Sequence, residues 1–163
     1  MPEESQLSHV DETGAARMVD VSAKTVSSRL AVAAGRVLTT GEVIGLLRGT
    51  GVPKGDALAV ARLAGIMGAK RTPDLIPLCH PIGLHGVVVD LQVTDDAIEI
   101  TATTKTADRT GVEMEALTAV ATAGLAMIDM IKAVDPAASI EAVRVLRKEG
   151  GKTGEWVRPK ERE

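Results

Sequence analysis

The stretch from Thr110 to Asp135, TGVEMEALTAVATAGLAMIDMIKAVD, predicts one long and mostly apolar helix. Its interior is rich in Ala, Leu, Met and Glu, which favour helix, and no proline occurs before Pro136. Thr110 and Glu113 fit the S/T-x-x-E capping box, so we expect the helix to begin there. Because most of its surface is apolar, we expect the helix to be buried on several sides.

Polar side chains nevertheless follow one face of this helix. At about 100° per residue, a single arc collects Glu115, Thr118, Thr122, Asp129 and Lys132. A carboxylate or an ammonium group on a buried helix must be paired, hydrated or functional. The stripe therefore indicates either a functional site or a satisfied ion pair at a subunit interface, since Asp129 and Lys132 stand at positions i and i+3.

The two carboxylates of this stripe are too far apart to act on one atom within a single chain. Glu115 and Asp129 are separated by about 21 Å along a continuous helix. Between them lie small residues that permit close backbone contact: Ala119, Ala121, Ala123, Gly124 and Ala126. We therefore expect two copies of the helix to pack antiparallel about a twofold axis near Thr122, with Glu115 of one subunit close to Asp129 and Lys132 of the other.

Length and composition limit the class of protein. At 163 residues we expect a single domain, 1–163, with loose segments at about residues 1–10 and 149–163. A net charge of −3 gives no general attraction to nucleic acid or anionic membranes, and the single aromatic residue, Trp156, gives no platform for stacking bases. One cysteine excludes an internal disulfide. Since no signal peptide or long uncharged apolar run is recognisable, we expect a cytoplasmic protein without nucleic-acid or membrane partners.

The rest of the chain predicts strands and two further helices. We expect strands over Ser27–Thr39, Val87–Thr94, Ala97–Thr106 and Ile140–Leu146, with a tight hairpin at Thr94–Asp96. Helices are expected from Thr40 to Leu47 and from Asp56 to Lys70. The resulting order, β-α-α-β-β-α-β, favours an α+β fold in which an antiparallel sheet carries helices on one face.

The loop Lys70–Pro81, KRTPDLIPLCHP, combines cations, prolines and a Cys-His pair. Its prolines restrict the backbone, so we expect no regular structure in it and well-fixed side chains. Lys70, Arg71, Cys79 and His80 are expected to face a cleft. His80 could be a general base, a hydrogen-bond donor to phosphate or an orienting group, or it could be purely structural. The pattern gives little support to Cys79 as a nucleophile and, for want of further ligands, none to a zinc site.

A group of cations in this acidic chain is predicted to form one pocket for a polyphosphate. The group consists of Lys54, Lys70, Arg71, Lys132, Lys148 and Lys152. The segment Gly150–Gly154 is similar to a phosphate-binding loop but lacks its first glycine, so we interpret it as a flap that brings Lys152 over an anion. In such a pocket Asp129 and Lys132 would tune each other's pKa, and Lys132 could act as a base near neutral pH. The alternative for each lysine is an ordinary exposed side chain.

Four segments resemble those of a known enzyme family. They are HVDETGAARMVDVSAK (residues 9–24), KGDALAVARLAGIMGAKRTPDLIPLCHP (54–81), the long helix TGVEMEALTAVATAGLAMIDMIKAVD (110–135) and LRKEGGKTGEW (146–156). The likeness extends from Leu7 to Trp156, and LIPLCHP together with TGVEMEAL is its most specific part. The chain thereby resembles the cyclic pyranopterin monophosphate synthase family of molybdenum cofactor biosynthesis.

This resemblance implies a lyase with a ferredoxin-like fold. The family converts 3′,8-cyclo-7,8-dihydroguanosine 5′-triphosphate into cyclic pyranopterin monophosphate and diphosphate. The resemblance also implies a homohexamer, arranged as a trimer of dimers, with the sites at subunit contacts. No cofactor is expected, although Mg²⁺ could accompany the triphosphate.

Individual roles also follow from the resemblance. Asp129 matches the catalytic acid/base, and Lys132 matches a second proton-transfer group. Substrate-binding positions are matched by Leu78, Cys79, His80, Met114 and Glu115, and also by Glu113, Lys54, Arg29, Asp20 and Lys148. For Glu113, helix capping is the alternative. A non-catalytic nucleotide or phosphate sensor is the competing function, and it would need the cations but not Asp129 and Lys132.

Overall fold

An antiparallel sheet covered by helices forms the core of the protein. A computed structural model describes residues 7–49 and 54–160, apart from the side chains of residues 54 and 55. The described residues contain strands β1 (Ser27–Leu38), β2 (Gly86–Val93), β3 (Ala97–Asp108), β4 (Ser139–Glu149) and β5 (Trp156–Val157), and helices α1 (Gly41–Arg48), α2 (Lys54–Lys70), α3 (Thr72–Leu75) and α4 (Glu113–Ile131). The strands lie in the order β2-β3-β1-β4-β5, and every pair is antiparallel. The predicted α+β class with its ferredoxin-like sheet is confirmed.

One face of the sheet is apolar and packs against the helices. Along β3 the alternating residues Ile98, Ile100 and Ala102 are buried, and Thr101 and Thr103 between them are half-buried on the other face. This alternation follows from the two-residue repeat of a strand. The central strand β1 contributes small residues to the same face, so α4 can lie directly on it. A Cβ atom added at Gly35 of β1 would come within 2.7 Å of Val120 Cγ1 on α4.

Helix α4 is the apolar helix that the sequence predicts. By length and composition alone it could cross a membrane, a test that the core helix of a soluble protein also passes. In the described structure α4 packs against α2 on one side and against β1, β3 and β4 on the other. Its buried side chains therefore have partners within the chain.

The predicted capping box at the start of α4 is wrong. The helix begins at Glu113, its N-cap is Val112, and no side chain caps it. Glu113 is thus the first helical residue and not the third, as a capping box requires. Its carboxylate instead pairs with Lys148 on β4, with 3.3 Å between Oε1 and Nζ. Thr104 of β3 holds the preceding turn by donating a hydrogen bond to the Val112 carbonyl at 2.9 Å.

Part of the α4 surface near Thr122, where a second copy was predicted to pack, is covered by α2 of the same chain. A Cβ added at Gly65 would come within 2.9 Å of the Ala119 carbonyl oxygen and 3.2 Å of Ala123 Cβ. One added at Gly68 would come within 2.7 Å of Thr122 Cβ. Ala119 and Ala123 therefore serve a crossing of two helices within one chain, whereas Gly124 lies against Ile140 of β4.

Two short elements were not predicted. Helix α3 lies inside the loop that was expected to be irregular. Its Pro73 falls in the first turn, where proline is tolerated because the first amide groups of a helix lack intrahelical partners. Strand β5 pairs with β4 through Lys148↔Trp156 and Arg147↔Val157. The hairpin between β2 and β3 is confirmed, with the Thr94 amide donating to the Ala97 carbonyl at 2.8 Å.

The α2–α4 crossing predicts the effect of a single methyl group. Gly68→Ala should lower the free energy of unfolding by about 1–3 kcal/mol, since the new methyl overlaps Thr122 and one helix must shift. The matched control is Gly45→Ala in α1, where a Cβ would meet nothing within 4 Å. The control should be neutral or stabilising by up to about 1 kcal/mol, because alanine favours helix. Urea unfolding at a fixed protein concentration compares the two variants, and equal midpoints would contradict the close crossing.

Candidate active site

Two adjoining cavities open at the N-terminal end of α4. The first, which we call the inner cavity, measures about 250 Å³ and is lined by residues that include Leu78, Cys79, His80, Met114 and Glu115. The second, which we call the basic cavity, measures about 290 Å³ and is lined by residues that include Arg29, Lys148 and Lys152. Both cavities are lined by Lys24, Thr110, Gly111 and Glu113. They therefore form one continuous cleft with a cationic end.

His80 is fixed at the inner cavity by a short hydrogen bond. Its Nε2 lies 2.6 Å from the carbonyl oxygen of Val19. A carbonyl can only accept, so Nε2 carries the hydrogen and Nδ1 is the other ring nitrogen available to a ligand. Asp20 follows Val19 and is exposed, and it does not line the cavity. Hydrogen bonds from Ser22 lower the pKa of Asp20, with a smaller contribution from the charge of His80.

Glu115 is a buried carboxyl group that faces the inner cavity. The residue is 3% exposed, and burial, together with the nearby charge of Glu113, raises its pKa to about 7. Among the described residues, one hydrogen bond has the opposite effect: a bond from the backbone of Glu115 itself lowers the pKa of its carboxyl group. Burial and the charge of Glu115 also raise the pKa of Cys79. Cys79 is therefore a neutral thiol near neutral pH and a poor nucleophile, which agrees with the weak support that the sequence gives to that role.

The basic cavity is held by backbone contacts. Arg29 donates from Nε to the Asp108 carbonyl at 3.2 Å and from Nη2 to the Arg109 carbonyl at 3.3 Å. Gly150 and Gly151 both have positive φ, and a Cβ at Gly151 would lie 3.1 Å from Arg29 Cζ. Only residues without a Cβ can turn so tightly over a guanidinium group. The segment predicted to be a flap thus lies on Arg29 and carries Lys152 to the rim of the basic cavity.

Glu113 joins the two cavities. It lines both of them and forms the ion pair with Lys148 that replaces its predicted capping role. Lys24, which was not predicted as a site residue, also lines both cavities. Arg109 anchors the backbone at Lys24 by donating from Nε to its carbonyl at 3.0 Å.

The single pocket predicted for six cations does not form within one chain. Lys70 lines a separate groove beside Ile82 and His85. Arg71 is exposed and forms an ion pair with Asp74 at 3.5 Å. Lys148 and Lys152 reach the basic cavity, and the side chain of Lys54 lies outside the described residues.

Asp129 and Lys132 lie outside both cavities. They form an ion pair in which Lys132 Nζ lies 2.7 Å from Asp129 Oδ1. The side chain of Asp129 is 70% exposed and that of Lys132 is 63% exposed. The polar stripe is therefore buried only in part: Glu115 and Thr118 are buried, whereas Asp129 and Lys132 are exposed. The pair lies about 21 Å along α4 from Glu115. Glu115 shares its cavity with His80 of the same chain, whereas Asp129 and Lys132 lie at the far end of the helix.

The cleft offers complementary chemistry at its two ends. The carboxyl group of Glu115, with a pKa of about 7, can donate or accept a proton near neutral pH, and the imidazole of His80 lines the same cavity. The guanidinium and ammonium groups of the basic cavity suit a polyphosphate, with Arg29 able to bind oxygens in a planar fork. An elongated ligand with a polar ring and a phosphate chain fits this distribution.

The raised pKa of Glu115 predicts how stability depends on pH. A carboxyl group whose pKa is higher in the folded protein stabilises the fold at low pH and loses that contribution as pH rises from the unfolded value of 4.5 through about 7. Glu115→Gln removes this titration. From pH 4.5 to pH 8 the wild type should lose stability relative to the variant, by on the order of 1–3 kcal/mol. Urea unfolding of both proteins across this range measures the difference, and a constant difference would show that Glu115 titrates normally.

The comparisons with known proteins agree with these observations. Residues 18–151 match the model of the MoaC family. The chain is 69% identical over 155 residues to a cyclic pyranopterin monophosphate synthase of Streptomyces griseus, covering 95% of this chain and 88% of the relative. It is 67% identical over 157 residues to the synthase of Streptomyces avermitilis, with 96% and 92% covered. It is 61% identical over 153 residues to cyclic pyranopterin monophosphate synthase 2 of Mycobacterium tuberculosis, with 94% and 92% covered. The chain belongs to the MoaC family.

Proposed function

We propose that this protein is a cyclic pyranopterin monophosphate synthase. In this reaction 3′,8-cyclo-7,8-dihydroguanosine 5′-triphosphate is converted into cyclic pyranopterin monophosphate and diphosphate, as a step of molybdenum cofactor biosynthesis. The observation that carries the proposal is the continuous cleft, in which Glu115 and His80 adjoin a cationic cavity. Relatives that bear this enzyme's name support it.

The chemistry at the two ends of the cleft supports a placement of the two ends of the substrate. The triphosphate lies in the basic cavity against Arg29, Lys148 and Lys152, where the cations offset the charge of the leaving diphosphate. The guanine-derived ring lies in the inner cavity, with His80 and Glu115 as polar contacts. Leu78, Cys79 and Met114 supply the remaining walls.

The phosphate chemistry requires a proton acceptor. A hydroxyl oxygen of the substrate bonds to the α-phosphorus, and the bond from that phosphorus to the bridging oxygen of the leaving diphosphate breaks. The hydroxyl proton must leave, and ring opening and reclosure need further proton transfers. We assign these transfers to Asp129 and Lys132, with Asp129 as the main acid/base group. Glu115 can exchange protons at the ring end, because burial places its pKa at about 7.

Asp129 and Lys132 reach this chemistry from a second subunit. They lie at the far end of α4 and are exposed, so they are available to an adjoining chain. Exposed apolar side chains surround this layer of helices: Val60, Leu63 and Met67 on α2, and Leu125 and Met130 on α4. Such a surface supports contact between subunits. We propose a homohexamer, a trimer of dimers in the cytoplasm, with its sites between subunits.

A metal ion has no evident protein site in this cleft. The part of the chain that the structure describes holds no cluster of three His, Cys, Asp or Glu side chains placed to bind one. A Mg²⁺ ion that accompanies the triphosphate would be held by phosphate oxygens and water. We derive no step through it.

Purified protein mixed with the cyclised dihydro-GTP should release diphosphate and form the cyclic phosphate. Asp129→Asn and Lys132→Ala should each lower turnover by at least about a hundredfold, since a positioned acid/base group contributes that much. Diphosphate release and product mass measure the reaction.

The control for these variants is Asp95→Asn. Asp95 is also an exposed carboxylate in an ion pair, with Arg48 at 3.0 Å, and it lies outside the cleft. It should leave turnover unchanged. If the wild type bound the substrate without releasing diphosphate, the protein would be a sensor and not an enzyme. If Asp129→Asn turned over as fast as Asp95→Asn, the assignment of Asp129 would be wrong.

A further inference from the structure

A second basic concavity lies on the face of the sheet that carries no helix. It measures about 630 Å³ and shares no lining residue with the cleft. Its charged lining residues are Arg36, Glu99, Arg144, Arg158 and Lys160. In a chain with a net charge of −3, the four cations here outnumber the carboxylates of Glu99 and the neighbouring Glu141, which is a local reversal of sign. The synthase reaction proposed above makes no use of it.

The cations of this concavity are held in position. Arg158 donates from its backbone amide to the Leu146 carbonyl at 2.8 Å and from Nε to the Val145 carbonyl at 2.6 Å. Its guanidinium carbon also lies 5.8 Å from the centre of the Trp156 ring. Arg144 donates from Nη1 to the Ala142 carbonyl at 2.7 Å. Each of these contacts uses part of a guanidinium group, which carries five N–H donors, and leaves other donors for a ligand.

The backbone beneath the cations is irregular in a way that aims one of them. Ala142 has a φ of +53°, a conformation that residues with a Cβ rarely adopt. The pairing of β1 with β4 shifts at the same place, between Ala34↔Arg144 and Arg36↔Glu141. Such bulges redirect side chains, and strained residues cluster at functional sites. The bulge turns Arg144 back over Ala142 at the edge of the concavity.

Arg36 has donors for which the described residues provide no close partner. Its Nε is buried and has no hydrogen-bond partner within the described structure. Its Nη2 lies 3.7 Å from Glu141, which is too long for a strong hydrogen bond. The side chain of Arg36 is 40% exposed, so the outer nitrogens of its guanidinium group are open to a ligand in the concavity.

We propose that this concavity is a second anion site, which binds a phosphate group through Arg36, Arg144 and Arg158, with Lys160 at its rim. Guanidinium groups bind phosphate oxygens in pairs, and three of them around one concavity favour phosphate over a singly charged anion. Glu99 and Glu141 border the site, and their repulsion favours a position for the anion on the side of β4 and β5. The site is independent of the synthase reaction.

Isothermal titration of the full-length protein with inorganic diphosphate tests this site. Because the cleft can also bind diphosphate, the two sites are separated by variants. The double variant R36Q/R144Q should lose one class of diphosphate site, or weaken it by at least about tenfold. The variant R29Q/K152Q, altered in the cleft, should retain that class. Lys160→Gln, at an exposed position near the end of the described chain, should weaken the same class without affecting the fold.

The matched control is Arg48→Gln, an exposed arginine on α1 that lines neither concavity. This variant should bind diphosphate with the same affinities as the wild type. Unchanged diphosphate binding in R36Q/R144Q and in Lys160→Gln would overturn the proposal. The proposal would also be overturned if the wild type showed a single class of diphosphate site and R29Q/K152Q lost that class. The concavity would then be covered or empty in solution.

Discussion

The close packing of α4 between the sheet and α2 is the constraint on which the rest of the structure depends. Gly35 of β1 lets α4 approach the sheet. Gly65 and Gly68 let α2 cross α4 so closely that the two backbones are nearly in contact. With one aromatic residue in the chain, the core cannot be filled by large rings and is built by bringing small surfaces together. The position and direction of α4 are therefore fixed, and Glu115 and Asp129 are held at opposite ends of one rigid element.

That arrangement explains the electrostatics of the cleft. Glu115 is buried where the helix meets the Cys79–His80 segment, so its ionised form is disfavoured and its pKa rises. Glu113 lies two residues earlier at the rim and is neutralised by Lys148. Two carboxyl groups of one helical turn thus have different surroundings. Glu115, with a pKa of about 7, faces the inner cavity, and Glu113, paired with Lys148, borders the cations.

Local patterns in the sequence were sufficient for most of the fold. The alternation of apolar and polar residues in Ala97–Thr106 predicted a strand correctly, because a strand buried on one face alternates in this way. The apolar composition of α4 predicted its helix correctly, because a helix buried on several sides is apolar over most of its surface. The capping box failed because Lys148, distant in sequence, competes for Glu113. Small residues show that something packs closely but not what, and at Ala119 and Ala123 it is α2 of the same chain. The same limit applied to the cations: Lys70 and Arg71 belong to the same predicted loop as Cys79 and His80, but α3 intervenes and they lie outside the cleft.

The central claim is that one active site combines the cleft of one subunit with Asp129 and Lys132 of another. Co-expression of an Asp129→Ala chain with a His80→Ala chain, each inactive alone, tests this directly by the turnover of the mixed oligomers. Random pairing in a dimer leaves one intact site in each mixed pair, so about a quarter of the wild-type activity should return. A mixture of His80→Ala with Glu115→Ala, altered in the same half of the site, should stay inactive. If the Asp129→Ala and His80→Ala mixture also stayed inactive, both residues would act within one chain, and the shared site would be contradicted.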